Sequence, residues 1–269
     1  MEFNFFVDDY VLIWSLLFRA SISEPIYNLK QRLWDKHKNE YNNTYKDRNL
    51  ILKDTKNFIP NDDTIYDIVM FSDEYEKIKR CALRYRVNLI KIWNDYKKLI
   101  ESFITSVLKR PIRSYNVFVL TEDIDVIDVS SSSDNVGTIV IGKKIDFNDP
   151  SSIIVDIIME VVKNEIKYDP ICGAIGNAVI ELAVLNELKT VLTKKSHYNI
   201  GQTDLVHIKK CLYPYWLMYL SVPKDEFLSY IARDKISFDE NIVYEKELRK
   251  MSMGEFIEFC YRNQRYIIR

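Results

Sequence analysis

The sequence predicts a predominantly helical α+β fold, and three observations carry that prediction. Glycine is scarce, six in 269 residues, against a usual ~7 %. Few positions are left for the tight turns of a many-stranded sheet. Long stretches repeat apolar residues at three- and four-residue steps. One region, 116–142, breaks that rhythm with β-branched runs bounded by polar turns. Apolar residues make up 47 %, with 18 Tyr and 13 Phe, which supports a sizeable core and excludes a wholly disordered chain. Lys and Arg total 38 against 39 acids. No overall basic excess points to nucleic acid or an anionic membrane.

Residues 1–110 read as almost entirely helical. Met1 to Phe18 is apolar but carries Glu2, Asp8 and Asp9, with no basic residue before Arg19. It lacks the basic start of a signal peptide. Its longest uncharged stretch, Tyr10 to Phe18, falls far short of the ~20 residues of a membrane span. Phe6, Tyr10, Ile13, Trp14 and Leu17 predict a buried helix there. A second helix opens at Glu24-Pro25, where proline suits the first turn; it carries Ile26, Leu29 and Leu33. The polar stretch 42–63, with Pro60, reads as loop or short helix. The clearest element is 73–109, capped by Ser72, with Asp73, Glu74 and Glu76 in its first turn. Its apolar face runs from Ile78, Cys81, Ala82 and Tyr85 to Phe103 and Val107. The same helix is strongly basic, from Lys77, Lys79 and Arg80 to Lys109 and Arg110. That face suits an acidic partner or a phosphate backbone, or acids on neighbouring helices.

The pattern changes at Pro111. Asn116 to Leu120, Asp123 to Val129 and Val136 to Gly142 predict three strands of a small sheet, antiparallel at least in part, with a turn over Ser130 to Asn135. Helices follow at 150–167 and 174–195, and again after Gly201. Ser252 and Glu255 form a capping box for a last helix. The expected organisation is a helical part, 1–112, and an α+β part, 113–269, packed as one unit. Cys81, Cys172, Cys211 and Cys260 show no CxxC spacing. They read as reduced, mostly buried thiols of a cytoplasmic protein.

The helix at 150–167 carries Met159-Glu160-Val161-Val162-Lys163. Ile153, Ile154, Ile157, Ile158, Val161, Val162 and Ile166 form one stripe, and Met159, Glu160 and Lys163 fall on the other side with Asp156. With strands before it and another helix after it, over about 115–195, this segment resembles a gluzincin-type zinc metallopeptidase in which both histidines of HExxH are replaced. The resemblance implies a zincin-like fold with Glu160 at the place of the general base. It also implies a third metal-ligand position on the next helix. Glu181 stands there, 18 residues after Lys163, with Glu187 a weaker candidate. The departures argue against the family's chemistry. Methionine is a poor zinc ligand, lysine opposes a dication, and two carboxylates do not close a zinc site. The expectation is a pseudoenzyme without metal or cofactor, in which the Lys163 ammonium pairs with Glu181, Glu160 or Asp156. Its partner would be a protein or peptide rather than a membrane or nucleic acid.

Two alternatives remain open. One is an active metal-dependent hydrolase with an unorthodox site. Of the three histidines, His37, His197 and His207, His207 stands at helical i,i+4 spacing with Cys211. Together with Glu181, these are its weak metal candidates. The other is a nucleic-acid binder that uses the basic helix 73–110. Gly173-Ala-Ile-Gly176 reads as a tight helix entry rather than an anion site.

Overall fold

The structure is a computed structural model that describes residues 1–21, 23–131, 136–194, 204–233 and 245–268. It is an α+β protein, 66 % helical, with one four-stranded mixed sheet. The chain divides into two compact units. The first is Met1–Asp95 with Arg113–Ile154, and the second is Tyr96–Ile112 with Val155–Arg269. The chain passes between the units at 95/96, 112/113 and 154/155, and the first and last of these points fall inside helices.

The first unit holds the sheet. Its strands are β1 (Phe3–Phe6), β2 (Ser114–Val119), β3 (Val126–Ser131) and β4 (Val136–Gly142), in the order β1-β2-β4-β3. β1 lies parallel to β2 and β2 parallel to β4, while β3 runs antiparallel to β4. Three of these strands were legible. β1 corrects the reading of a helix from the N-terminus, because Phe6 belongs to an edge strand. Phe3 and Phe5 are buried and Asn4 and Phe6 exposed, the period of two that four residues are too few to announce. The predicted helix begins only at α1 (Asp9–Phe18), where Asp8 Oδ1 accepts from the Val11 amide at 3.0 Å. The turn residues Ser132 to Asn135 lie outside the described residues; Ser130 and Ser131 close β3.

Alternation along β2 and β4 gives the sheet two faces. Tyr115, Val117, Val119, Ile139 and Ile141 are buried on one. On that side Phe3 stacks on Trp93 of α6 (Asp73–Phe103), with ring centroids 4.1 Å apart, and Tyr85 of α6 donates to the Lys143 carbonyl at 2.6 Å. The other face carries Asn116, Phe118, Thr138 and Val140. Phe118 and Val140 join Leu120 and Ile124 in a core with α1, α2 (Glu24–Lys36), α5 (Tyr66–Met70) and Ile51 of α4 (Arg48–Lys53). Short helix α3 (Lys38–Thr44) precedes α4, so the polar stretch 42–63 is partly helical. Cys81 corrects the expected apolar face of α6: it is exposed, beside Arg84, whose guanidinium reaches its sulfur at 3.5 Å.

The second unit is built of helices. α7 (Ser151–Glu165) spans the last boundary between units and buries the predicted stripe from Ile153 to Val162, together with Ile166 just beyond its end. α8 (Gly173–Glu181) widens into a π-helical segment, Leu182–Leu188, before α9 (Lys189–Thr193). Gly176 is needed for close approach, because a Cβ there would lie 2.4 Å from the Tyr168 ring. Pro170–Thr193 has the length and hydropathy of a membrane span, but 61 % of that window is buried inside the protein. α10 (Val206–Tyr219), α11 (Lys224–Arg233), α12 (Glu245–Leu248), α13 (Met253–Arg262) and α14 (Gln264–Ile267) follow. The Ser252–Glu255 capping box opens α13 as expected. All four cysteines are free. Cys172 and Cys260 are buried and Cys211 is half-buried. Burial pushes the thiols of Cys172 and Cys260 upward, away from the reactive thiolate.

Candidate functional site

The residues singled out on α7 lie where helical periodicity places them, on the side away from the buried stripe. There Lys163 Nζ pairs with Glu160 Oε1 at 2.7 Å, and the two side chains are 44 % and 38 % exposed. Of the carboxylates offered to Lys163, the structure thus selects Glu160, one turn away on its own helix. This is a solvated i,i+3 pair, not a buried counter-ion. The Lys163→Met variant is therefore expected to unfold within ~0.5 kcal/mol of the parent. A loss above ~1 kcal/mol in chemical denaturation would restore Lys163 as the counter-ion of a buried acid.

Glu181 has a different cation. Lys209 Nζ of α10 lies 2.8 Å from Glu181 Oε2, with the lysine 2 % and the glutamate 19 % exposed. One helical segment on, the Trp216 indole donates to Glu187 Oε1 at 3.0 Å. Burial pushes the Glu187 carboxyl upward, and the indole hydrogen bond only partly opposes it. Lys209 and Trp216 stand two turns apart on α10, so α10 satisfies both acids.

The weak metal candidates do not assemble. His207 is exposed, with Nε2 3.9 Å from Cys211 Sγ, and His197 lies outside the described residues. Among the described residues, no three His, Cys, Asp or Glu side chains stand together as a metal could bind them. The donor set at Glu181 holds an ammonium where a dication would need ligands. Among the described residues, the donor set around Glu181 therefore does not fit a zinc centre.

Several cations of the basic helix already have partners in the first unit. Lys79 pairs with Asp9 at 2.7 Å, Arg80 with Glu76, and Arg86 donates to the Phe5 carbonyl at 2.8 Å. Beyond α6, Lys109 and Arg110 donate to carbonyls of the second unit, Lys109 to those of Tyr219 and Arg249, and Arg110 to that of Glu165.

One concave feature among the described residues of the first unit is a groove that sequence reasoning missed. It encloses about 540 Å³ over the uncovered end of the sheet face, within the ~300–1,000 Å³ typical of ligand sites. Its floor is Asn116, Thr138 and Ser130, side by side on three adjacent strands. Its wall is α4 and the turn after it, with Arg48, Lys53 and Lys56. At one end Asp128 of β3 bridges Arg48 and Arg19, the latter at 2.9 Å. Burial works to raise the Asp128 carboxyl, but the two guanidiniums outweigh it and hold it below the usual carboxylate range. Both guanidiniums also lie 5.8 Å from the centre of the Trp14 ring. The cluster fixes α4 against the sheet edge and shapes the groove. The strand alternation announced a polar residue at 116 and at 138; nothing local announced that 48–56 would fold over them.

No protein-family model, no curated protein and no solved structure matches the chain.

Proposed function

We propose that the protein is a non-catalytic, metallopeptidase-like binding protein that holds a protein or peptide segment in the groove of its first unit. The observation that supports this reading is the groove itself. Phe118 and Val140 pack into the core under the N-terminal helices and border the groove, to which Asn116, Thr138 and Ser130 present amide and hydroxyl groups. Asn116, Thr138 and Ser130 can exchange hydrogen bonds with a main chain laid across the strands. The helix pair that carries the gluzincin resemblance contributes Glu160 and Glu181 with ammonium partners in place of a metal-held water.

Thr138 is the residue through which to test this. A tryptophan there projects an indole into the groove from an already half-exposed strand position. The Thr138→Trp variant is expected to fold and to lose at least ~10-fold in affinity for peptides selected from a random library against the parent protein. Equal affinity of parent and variant would place binding elsewhere, and an empty selection would sink the reading. Zinc content by mass spectrometry, on protein purified without a metal-affinity tag, separates the hydrolase alternative: about one ion per chain would support it.

A further inference from the structure

The charges around the groove define the chemistry of what it holds. It is lined by three cations, Arg48, Lys53 and Lys56, and two carboxylates, Asp54 and Asp128. Both carboxylates are already engaged. Asp54 accepts from the Asn57 backbone and side-chain amides, at 3.3 and 2.7 Å, within its own turn. Asp128 is shared by Arg19 and Arg48. Lys53 and Lys56 are exposed and make no ion pair among the described residues. A second guanidinium, Arg19, backs the same end of the groove. The excess of positive charge is local, since acids outnumber bases by one over the whole chain.

We infer that the groove recognises an acidic peptide segment: an extended stretch of a partner protein with Asp or Glu side chains that reach Lys53 and Lys56 while its main chain lies over Asn116, Thr138 and Ser130. This rests on the peptide-binding reading above and adds the partner's charge to it. Ammonium groups on flexible stems, one turn of chain apart, suit carboxylates at variable spacing. The floor suits a main chain, which carries donors and acceptors in equal number. A single-stranded nucleic acid is the weaker occupant, because its bases need stacking platforms. Among the described residues, the one aromatic in the lining, Phe118, is itself buried in the core.

The test uses the full chain and three fluorescent peptide pools of equal length that share every position but the alternating ones. One carries Asp and Glu at alternating positions, one Asn and Gln, and one Lys and Arg; a single-stranded oligonucleotide is the fourth probe. The acidic pool is expected to bind at least ~10-fold tighter than the neutral one, and the preference is expected to shrink as salt rises. The double variant Lys53→Gln and Lys56→Gln, at exposed positions, is expected to keep its thermal midpoint and lose that preference. Equal binding of acidic and neutral pools would overturn the inference and leave peptide binding standing. Absence of binding by every peptide pool would overturn both. Tighter binding of the oligonucleotide than of the acidic pool would overturn the inference in favour of a nucleic-acid partner.

Discussion

Glu181→Ala is expected to cost about 3–5 kcal/mol of stability, because it strands the Lys209 ammonium in the interior. That lysine is 2 % exposed and Glu181 is its counter-ion. An unpaired charge at such depth cannot recover the hydration it lost on folding. For a chain of this size the loss corresponds to a fall in unfolding temperature of the order of 10 °C. The reverse variant, Lys209→Met, leaves a carboxylate that keeps some access to water, 19 % of its surface, and is expected to cost less. The double variant Glu181→Leu with Lys209→Met removes both charges and keeps volume. It is expected to return to within ~1 kcal/mol of the parent. Calorimetry of the parent, the single variants Glu181→Leu and Lys209→Met, and the double variant closes this cycle. A single-variant loss below ~1 kcal/mol would mean that water reaches the pair and that α8 and α10 are held by their apolar contacts alone.

The pair also shows what the sequence could and could not reveal. Period-3.6 patterns located α1, α2, α6 and α7, because a long amphipathic helix writes its own burial into its spacing, and a capping box located α13. The same wheel put Glu160 and Lys163 on the open side of α7 and Glu181 on the less buried side of α8, where the structure has them. What one helix cannot announce is the group that a distant helix presents to it. The expectation offered Glu181 to Lys163, beside Glu160 and Asp156, because all lay in the segment that resembles a gluzincin. The structure gives it to Lys209, 28 residues along the chain. A signal was present: Lys209 lies one turn before Leu212 and Tyr213, on the apolar face of α10, and a lysine on such a face needs an acid opposite. β1 and the groove were illegible for the same reason. A four-residue strand is defined by its neighbour β2, more than a hundred residues away, and the groove by which loop happens to cross Thr138.

Trp216→Phe is the second change with a large expected effect, and its signature is in pH rather than in size alone. Trp216 is fully buried, stacked on Tyr219 at 5.1 Å and tilted against Phe256 at 6.0 Å between ring centroids. Loss of one ring and of the Nε1 donor is expected to cost about 2–4 kcal/mol. The donor matters because it serves Glu187, whose carboxyl burial already raises. A carboxyl raised in the folded state contributes stability that is fully present below its unfolded value, about 4.3. That contribution is lost as pH rises through the folded value. Without the indole, the ionised form loses its hydrogen bond and the folded value moves higher still. The deficit of Trp216→Phe relative to the parent is therefore expected to be smallest near ~pH 4 and to grow toward ~pH 8. In a Glu187→Gln background the ionised form is gone, so the same substitution is expected to cost a pH-independent amount. Thermal unfolding of the four proteins across that window reads the difference directly. A deficit that is flat with pH in both backgrounds would show that Trp216 acts through packing alone and that water, not the indole, satisfies Glu187.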